Sequence, residues 1–346
     1  MRIAIATVQV PFISGGAEIL SQGLRNALAD AGHQSELVSM PFRFGPPAAV
    51  LQNMDAWADE DFDRFDCGSV DQVIALKFPA FYLRHHNKRV WLMHQQRSVY
   101  ELFDTPFGER SDNPEACQLR EHVMRRDKDA LESARHVFTI SPTVSERLMR
   151  FNGVPSEPLL HPPANAELFE SHELMPFVFA PSRLESLKRQ ELLIRALPMI
   201  PEPIFVVFAG VGGIRAQLDS LVAELGLQHR VRFLGHVSHA ELRRWYANSM
   251  AVFFGPFQED YGYITLEAML SSRAIVTCTD SGGPTHFVKD GETGYVVSPK
   301  PNEIAHAIST LWNNRTRTRE MGDNSLQLYK SLGINWNQAV DRLLAN

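Results

Sequence analysis

The feature that most constrains the fold is an alternation of short apolar runs with amphipathic segments. It begins at residue 2, stops near residue 161 and then starts again. In the first series, residues 2–7, 35–38, 72–76, 89–93 and 136–140 have the length and apolar density of buried strands. After the first of these, Leu20, Leu24, Ala27, Leu28 and Ala31 fall on one helical face, and Gly32 is placed to end that helix. Ser141-Pro142 predicts an N-cap and first turn for a helix reaching Phe151. The second series has strand runs at 177–180, 204–209, 231–234, 251–254, 274–279 and 295–297. Helices fit over 214–225 and 264–271, and Ser238 with Glu241 makes a capping box for another. Strand and helix in alternation call for parallel sheets covered on both faces. The segment His161-Pro162-Pro163-Ala164-Asn165 reads as the joint, because consecutive prolines end helices and central strands alike. The expected architecture is therefore α/β: two doubly wound, Rossmann-like domains facing across a cleft. Their bounds are 1–165 and 166–330, followed by a terminal helix over 331–346.

A length of 346 residues suits two such domains. Lys and Arg total 34 against 40 Asp and Glu, giving a net charge of −6, so the basic field that duplex nucleic acid needs is missing. Cys67, Cys117 and Cys278 lie far apart, which fits reduced thiols better than a disulfide framework or a zinc site. The apolar start is broken by Thr7 and Gln9, so it reads as a buried strand rather than a signal peptide. The most apolar interior stretch, 204–211, is far short of the roughly 20 residues that span a bilayer. A cytoplasmic protein is expected, with any membrane contact peripheral and at the inner face.

In open α/β sheets ligands bind beyond the carboxyl ends of the strands, so the chemistry is sought on the strand-to-helix loops. Ser14-Gly15-Gly16-Ala17-Glu18 opens a helix; it suits either a tight turn or close backbone approach to an anion. It lacks the spacing of a dinucleotide fingerprint or a P-loop, and Gly210-Val211-Gly212-Gly213 also fails the former. The loop 182–189 carries Arg183, Lys188 and Arg189, two or three cations that suit a diphosphate, or else a solvated turn. After the strand ending at Phe254, Glu259 lies on a loop and Glu267 about one turn into the next helix. Both can face a ligand at that helix N-terminus. A carboxylate accepts hydrogen bonds from sugar hydroxyls, and the backbone N–H groups near Gly262, Tyr263 and Ile264 suit phosphate. A glycosidase would need two opposed acids with room for substrate between them. A fourth loop, Asp280-Ser281-Gly282-Gly283-Pro284, again permits close backbone approach.

These residues resemble a family. Ser-Arg-Leu-x-x-x-Lys-Arg, two glutamates with seven residues between them, a later Gly-Gly-Pro and an early Gly-Gly-Ala-Glu look like the family 4 retaining glycosyltransferases. The resemblance covers most of the chain in the right order and is most specific in the second half. It implies a glycosyltransferase B fold, with the donor held mainly by the C-terminal domain and the acceptor mainly by the N-terminal one. By resemblance, Arg183 and Lys188 bind the diphosphate of a nucleotide diphosphate sugar, with Gly15 and Gly16 approaching it from the other domain. Glu259 contacts the transferred sugar, Glu267 the ribose hydroxyls, and His236-Val237 line the base pocket. Gly210, Gly262, Tyr263 and Ile264 complete the donor-binding set, and His94 joins Glu259 at the catalytic centre. The segment 336–344 resembles the terminal helix that crosses back to the first domain.

Two departures stand out: Thr285-His286 where the family often has Glu, and His161-Pro162-Pro163 in place of Asn-Gly at the joint. Residues 95–115, rich in aromatic and charged side chains, are the candidate acceptor loop, with Gln95 and Arg97 as acceptor-binding residues; a surface excursion is the alternative. The acceptor is expected to be a sugar, lipid-linked or other hydroxyl. No cofactor is expected. No metal-ligand cluster is evident: the pairs His85-His86 and His236-x-x-His239 lack an obvious acidic or cysteine partner. The expected function is sugar transfer with retained configuration, in polysaccharide or glycoconjugate synthesis. An epimerase or sugar phosphorylase on the same fold, or a non-catalytic nucleotide-sugar-binding subunit, are the competing readings.

Overall fold

The computed structural model describes residues 1–12, 15–64 and 68–345, so Ser14 of the first glycine loop and Cys67 lie outside the described residues. The chain divides into two compact units, 1–164 with 334–346, and 165–333.

The first unit holds a six-stranded sheet of β1 (Arg2–Gln9), β2 (Gln34–Pro41), β3 (Gln72–Ala75), β4 (Lys88–Leu92), β5 (His136–Thr139) and β6 (Glu157–Pro158). All pairs are parallel and the order is β2-β1-β3-β4-β5-β6. Between strands run α1 (Gly16–Asp30), α2 (Pro47–Asp59), α3 (Pro114–Glu132) and α4 (Pro142–Asn152). β1 runs two residues past the expected end. Thr7 and Gln9 stay in the ladder because β2 pairs with it in register as far as Gln9 and Pro41. Ser141 caps α4 as its sequence predicts, its side chain accepting from the Val144 N–H. β6, two exposed residues long, has no apolar signature and is not predicted by the sequence.

The second unit alternates β7 (Phe177–Pro181), α5 (Gln190–Ala196), β8 (Phe205–Ala209), α6 (Arg215–Glu224), β9 (Val231–Phe233), α7 (His239–Asn248) and β10 (Ala251–Phe253). It continues with α8 (Tyr263–Leu270), β11 (Ala274–Cys278), α9 (Pro284–Phe287), β12 (Gly294–Val297), α10 (Pro301–Asn313) and α11 (Arg315–Ser331). The sheet order is β12-β11-β10-β7-β8-β9, all parallel. Every residue of β7, β10 and β11 is buried, which is why these strands read as unbroken apolar runs. Val178, Val206, Phe208 and Phe253 from the sheet pack with Ile304, Ile308 and Leu311 of α10. The strand order reverses between β7 and β10, and such a reversal opens a crevice at the carboxyl ends of the two strands.

The last helix, α12 (Trp336–Leu344), belongs to the first unit. Trp336 lies so close over α1 that a Cβ on Gly23 would sit 2.2 Å from its ring. Buried Gln72 and Arg89, from β3 and β4, both donate to the Leu343 carbonyl near the helix end. The predicted joint is not loose: His161 is fully buried in the first unit, 5.3 Å from the Trp91 ring and 5.9 Å from that of Trp336.

Burial pushes the His161 imidazole down to about 3. A histidine whose folded pKa is depressed is neutral when folded, while the unfolded chain takes up a proton below about 6.5. Stability is therefore lost as pH falls from about 6.5 toward 3, by several kcal/mol across that window. Urea titrations of His161→Gln are expected to show a flatter loss of stability between pH 6.5 and 4.5 than the parent. An unchanged slope would mean that His161 is not the titrating group. Asp127 acts in the opposite direction. It is fully buried, accepts from the Tyr82 and Tyr100 hydroxyls, and is raised to about 7, chiefly by desolvation. It therefore favours the acid side, and its contribution cancels when the two slopes are compared.

Candidate active site

In the second unit, loops that follow separate strands are stitched together by their backbones. The Ser182 N–H donates to the Ala209 carbonyl, that of Leu184 to Val211, and that of Gly210 to Gly235, at 2.9, 3.0 and 2.8 Å. The loops after β7, β8 and β9 thus form one surface. Gly210 is required there: its φ is +138°, and a Cβ would fall 2.0 Å from the Ser182 carbonyl oxygen. His236 is exposed and Val237 half-buried on the third of these loops.

The loops after β10 and β11 are joined in the same way. Gln258 and Glu259 donate their N–H groups to the carbonyls of Asp280 and Ser281, and Gly283 returns a bond to the Glu259 carbonyl at 2.8 Å. Phe257 N–H donates to the Leu187 carbonyl, linking this pair to the loop after β7. Gly262 caps α8 with φ +87°, so that the chain turns sharply into the helix start. The first-turn N–H groups of a helix have no acceptor within it and carry its positive dipole end. Tyr263 and Ile264 occupy that turn.

Across the reversal point, Lys188 Nζ lies 2.5 Å from Glu259 Oε2, with side-chain exposures of only 15% and 19%. A cation from the loop after β7 and a carboxylate from the loop after β10 thus share one partly buried spot. Arg183 is placed differently. Its side chain is 49% exposed and pairs at 2.8 Å with Glu185 on its own loop. Glu267 is part-buried on α8 and accepts from the Tyr246 hydroxyl of α7 at 2.7 Å. Desolvation raises its carboxyl above the ordinary range, and the Tyr246 bond acts against that rise. The fully buried Tyr246 fixes the carboxylate's orientation. Where the sequence departs from the family's Glu, the Thr285 hydroxyl donates to the Gly282 carbonyl at 2.7 Å and closes the loop, and His286 is exposed.

In the first unit, Gly15 and Gly16 stand at the start of α1, but the Gly15 N–H donates to Glu18 Oε2 at 2.7 Å. That N–H is therefore already engaged by a carboxylate. His94 follows β4, its Nδ1 2.7 Å from the Gln95 carbonyl oxygen. Gln95 is corrected by the structure. It is 4% exposed, and its amide donates to Asn152 at 2.6 Å within the network around Tyr100 and Asp127. It is a core residue, not part of an acceptor surface. Arg97 pairs with Glu101 at 2.5 Å, and Arg147 meets the same carboxylate at 3.3 Å. The candidate acceptor loop is accordingly anchored inward at Val99, Tyr100 and Leu102, all buried.

Residues 167–327 match the family of glycosyl transferases group 1. The second unit is a group 1 glycosyltransferase domain. An uncharacterized glycosyltransferase of Methanocaldococcus jannaschii is 36% identical over 132 residues, 37% of this chain and 34% of the relative. D-inositol 3-phosphate glycosyltransferase 1 of Catenulispora acidiphila is 29% identical over 222 residues, 60% of this chain and 50% of the relative. The chain thus spans a third to a half of the length of these curated relatives. Among solved structures, a sucrose-phosphate synthase of Thermosynechococcus elongatus superposes with TM-score 0.79 at 20% identity, covering 99% of this chain and 97% of the other. HepE of Anabaena, solved in complex with UDP, gives TM-score 0.75 at 18% identity, covering 99% and 98%. The fold is the glycosyltransferase B type that the sequence resemblance implies.

Within the glycosyltransferase domain, sequence reasoning missed the partners of its own candidates. Tyr246 lies 21 residues from Glu267, and Asp280 lies 91 from Arg189, which it binds. No spacing rule links such pairs. The expectation that His85-His86 lack an acidic partner is corrected. Asp63 lies 2.5 Å from His86 Nδ1 and 3.5 Å from His85 Nε2. This cluster is nonetheless poorly suited to a metal. His85 Nδ1 accepts the Asn87 N–H and its Nε2 lies 3.0 Å from the Val70 carbonyl, so Nε2 carries the proton and offers no lone pair.

Proposed function

We propose that this chain is a retaining glycosyltransferase of family 4. It would move a sugar from a nucleotide diphosphate sugar to an acceptor hydroxyl, in cytoplasmic polysaccharide or glycoconjugate synthesis. The observation that carries the reading is the Lys188–Glu259 pair at the strand-order reversal, beside the N-terminus of α8. As the sugar departs, negative charge grows on the diphosphate. Lys188 and the first turn of α8 are the groups placed to stabilise it, with Arg183 nearby on the same loop as Lys188. Glu259 is placed to accept from hydroxyls of the transferred sugar, and Glu267, oriented by Tyr246, from the ribose. Retention follows if the acceptor attacks on the face from which the diphosphate leaves, with a phosphate oxygen taking the acceptor proton. The HepE complex with UDP and the names of the curated relatives support this reading.

The test is a set of nucleotide diphosphate sugars, each incubated with a panel of sugar and lipid-linked acceptors, with products followed by proton NMR. The expected product carries the donor's anomeric configuration. An inverted product would overturn retention. A sugar changed only in ring stereochemistry, with no acceptor adduct, would favour an epimerase. Charge stabilisation by protein groups alone leads to a further expectation: turnover persists in excess EDTA. Loss of turnover on chelation, restored by magnesium or manganese, would contradict it; such ions keep most of their waters and need few protein ligands.

A further inference from the structure

We propose that Arg189 is a positioning residue that holds Lys188 and Glu259 in their mutual geometry. The proposal rests on the donor-site reading above. By sequence Arg189 is one more cation beside Lys188, but the structure gives it different work. The residue is 8% exposed. Its guanidinium donates from Nε to the Gly255 carbonyl and from Nη2 to the Pro256 carbonyl, both at 2.8 Å. Nη1 and Nη2 bind the two carboxylate oxygens of Asp280 at 2.8 and 2.6 Å. The Phe257 ring lies 5.6 Å away.

One side chain from the loop after β7 therefore fixes the loops after β10 and β11 together. Two of its acceptors lie on the segment that leads to Glu259, and the third is the residue whose carbonyl receives the Gln258 N–H. Its neighbour in sequence, Lys188, reaches Glu259 from the same turn. With four donor contacts already made inside the protein, Arg189 is not placed as a diphosphate ligand. Its backbone is also unusual: φ is +51°, a left-handed conformation that a non-glycine residue adopts at a cost. A lysine carries the same charge but not the planar fork, and a single ammonium cannot hold a bidentate carboxylate and two carbonyls in these directions.

The experiment measures affinity for UDP, GDP and ADP by calorimetry in the parent, R189K, K188M and the double variant, alongside melting temperature. The proposal predicts that R189K weakens the preferred nucleotide about tenfold while the protein stays folded. In the K188M background the same change is expected to cost less than about twofold, because it acts through Lys188. The drop in melting temperature is expected to be the same in both backgrounds. D280N, which removes one fork partner, should reproduce the affinity loss and serves if R189K fails to fold. Equal affinity losses in both backgrounds, or none in either, would overturn the proposal. If the parent protein binds none of the three nucleotides, the donor-site reading itself fails, a result separate from any property of R189K.

Discussion

Lys188→Met is expected to lower turnover of the donor sugar by about 100- to 1,000-fold, the usual cost of removing one group that stabilises a developing anion. Lys188 is 15% exposed beside Glu259, so its charge acts where solvent screens it little. Affinity for the bare nucleotide diphosphate should fall about ten- to hundredfold, the worth of a charge-assisted hydrogen bond. Arg183→Ala is expected to cost less on both counts, since that side chain is 49% exposed and paired with Glu185. Melting temperature should change little in Arg183→Ala, whose side chain is half exposed, and fall in Lys188→Met, which leaves the part-buried Glu259 carboxylate without its counter-charge. Steady-state kinetics with calorimetry check this. Equal effects of the two variants would mean that Arg183, and not only Lys188, meets the diphosphate directly.

Glu267→Ala is expected to weaken the bare nucleotide diphosphate by about ten- to hundredfold, while Glu259→Ala spares the nucleotide and lowers turnover. The two carboxylates differ in their settings. Glu267 is on a helix and held by Tyr246 from behind; Glu259 is on a loop and held by Lys188. If the partner of Glu267 is ribose, the parent protein should prefer ribonucleoside diphosphates over their 2′-deoxy forms, and Glu267→Ala should narrow that preference. Tyr246→Phe should give a smaller loss of the same kind, because the carboxylate remains but is no longer oriented. Calorimetric titration of both nucleotide forms against the three variants decides the matter. A Glu259→Ala protein that loses nucleotide affinity while Glu267→Ala retains it would mean that the roles are exchanged.

How much of this was readable in the sequence follows the range of the interactions. The Ser141 and Ser238 caps, each a contact across three residues, stand where the sequence places them. The buried strands β7, β10 and β11 were readable because a strand covered on both faces must be apolar throughout. The strand order was not readable in the same way. It is the order β12-β11-β10-β7-β8-β9 that brings the Lys188 loop beside the Glu259 loop. Contacts across long separations were opaque: Arg189 to Asp280, Tyr246 to Glu267, and Gln95 to Asn152. Gln95 illustrates the failure most clearly. A polar residue in a charged, aromatic stretch looks like a surface residue until its burial among Asn152, Tyr100 and Asp127 is known. Gly15 shows the converse. Its place at the start of α1 was readable, but its N–H is engaged by Glu18, only three residues on.

The central claim, that the second unit holds a nucleotide diphosphate through Lys188 at the strand-order reversal, is tested most directly by titrating the parent protein and Lys188→Met with UDP, GDP and ADP and with the matching monophosphates. The account predicts that one diphosphate binds the parent at least about tenfold more tightly than its monophosphate, and that Lys188→Met removes most of this difference. Absence of binding to every nucleotide, or a diphosphate preference that survives unchanged in Lys188→Met, would contradict it.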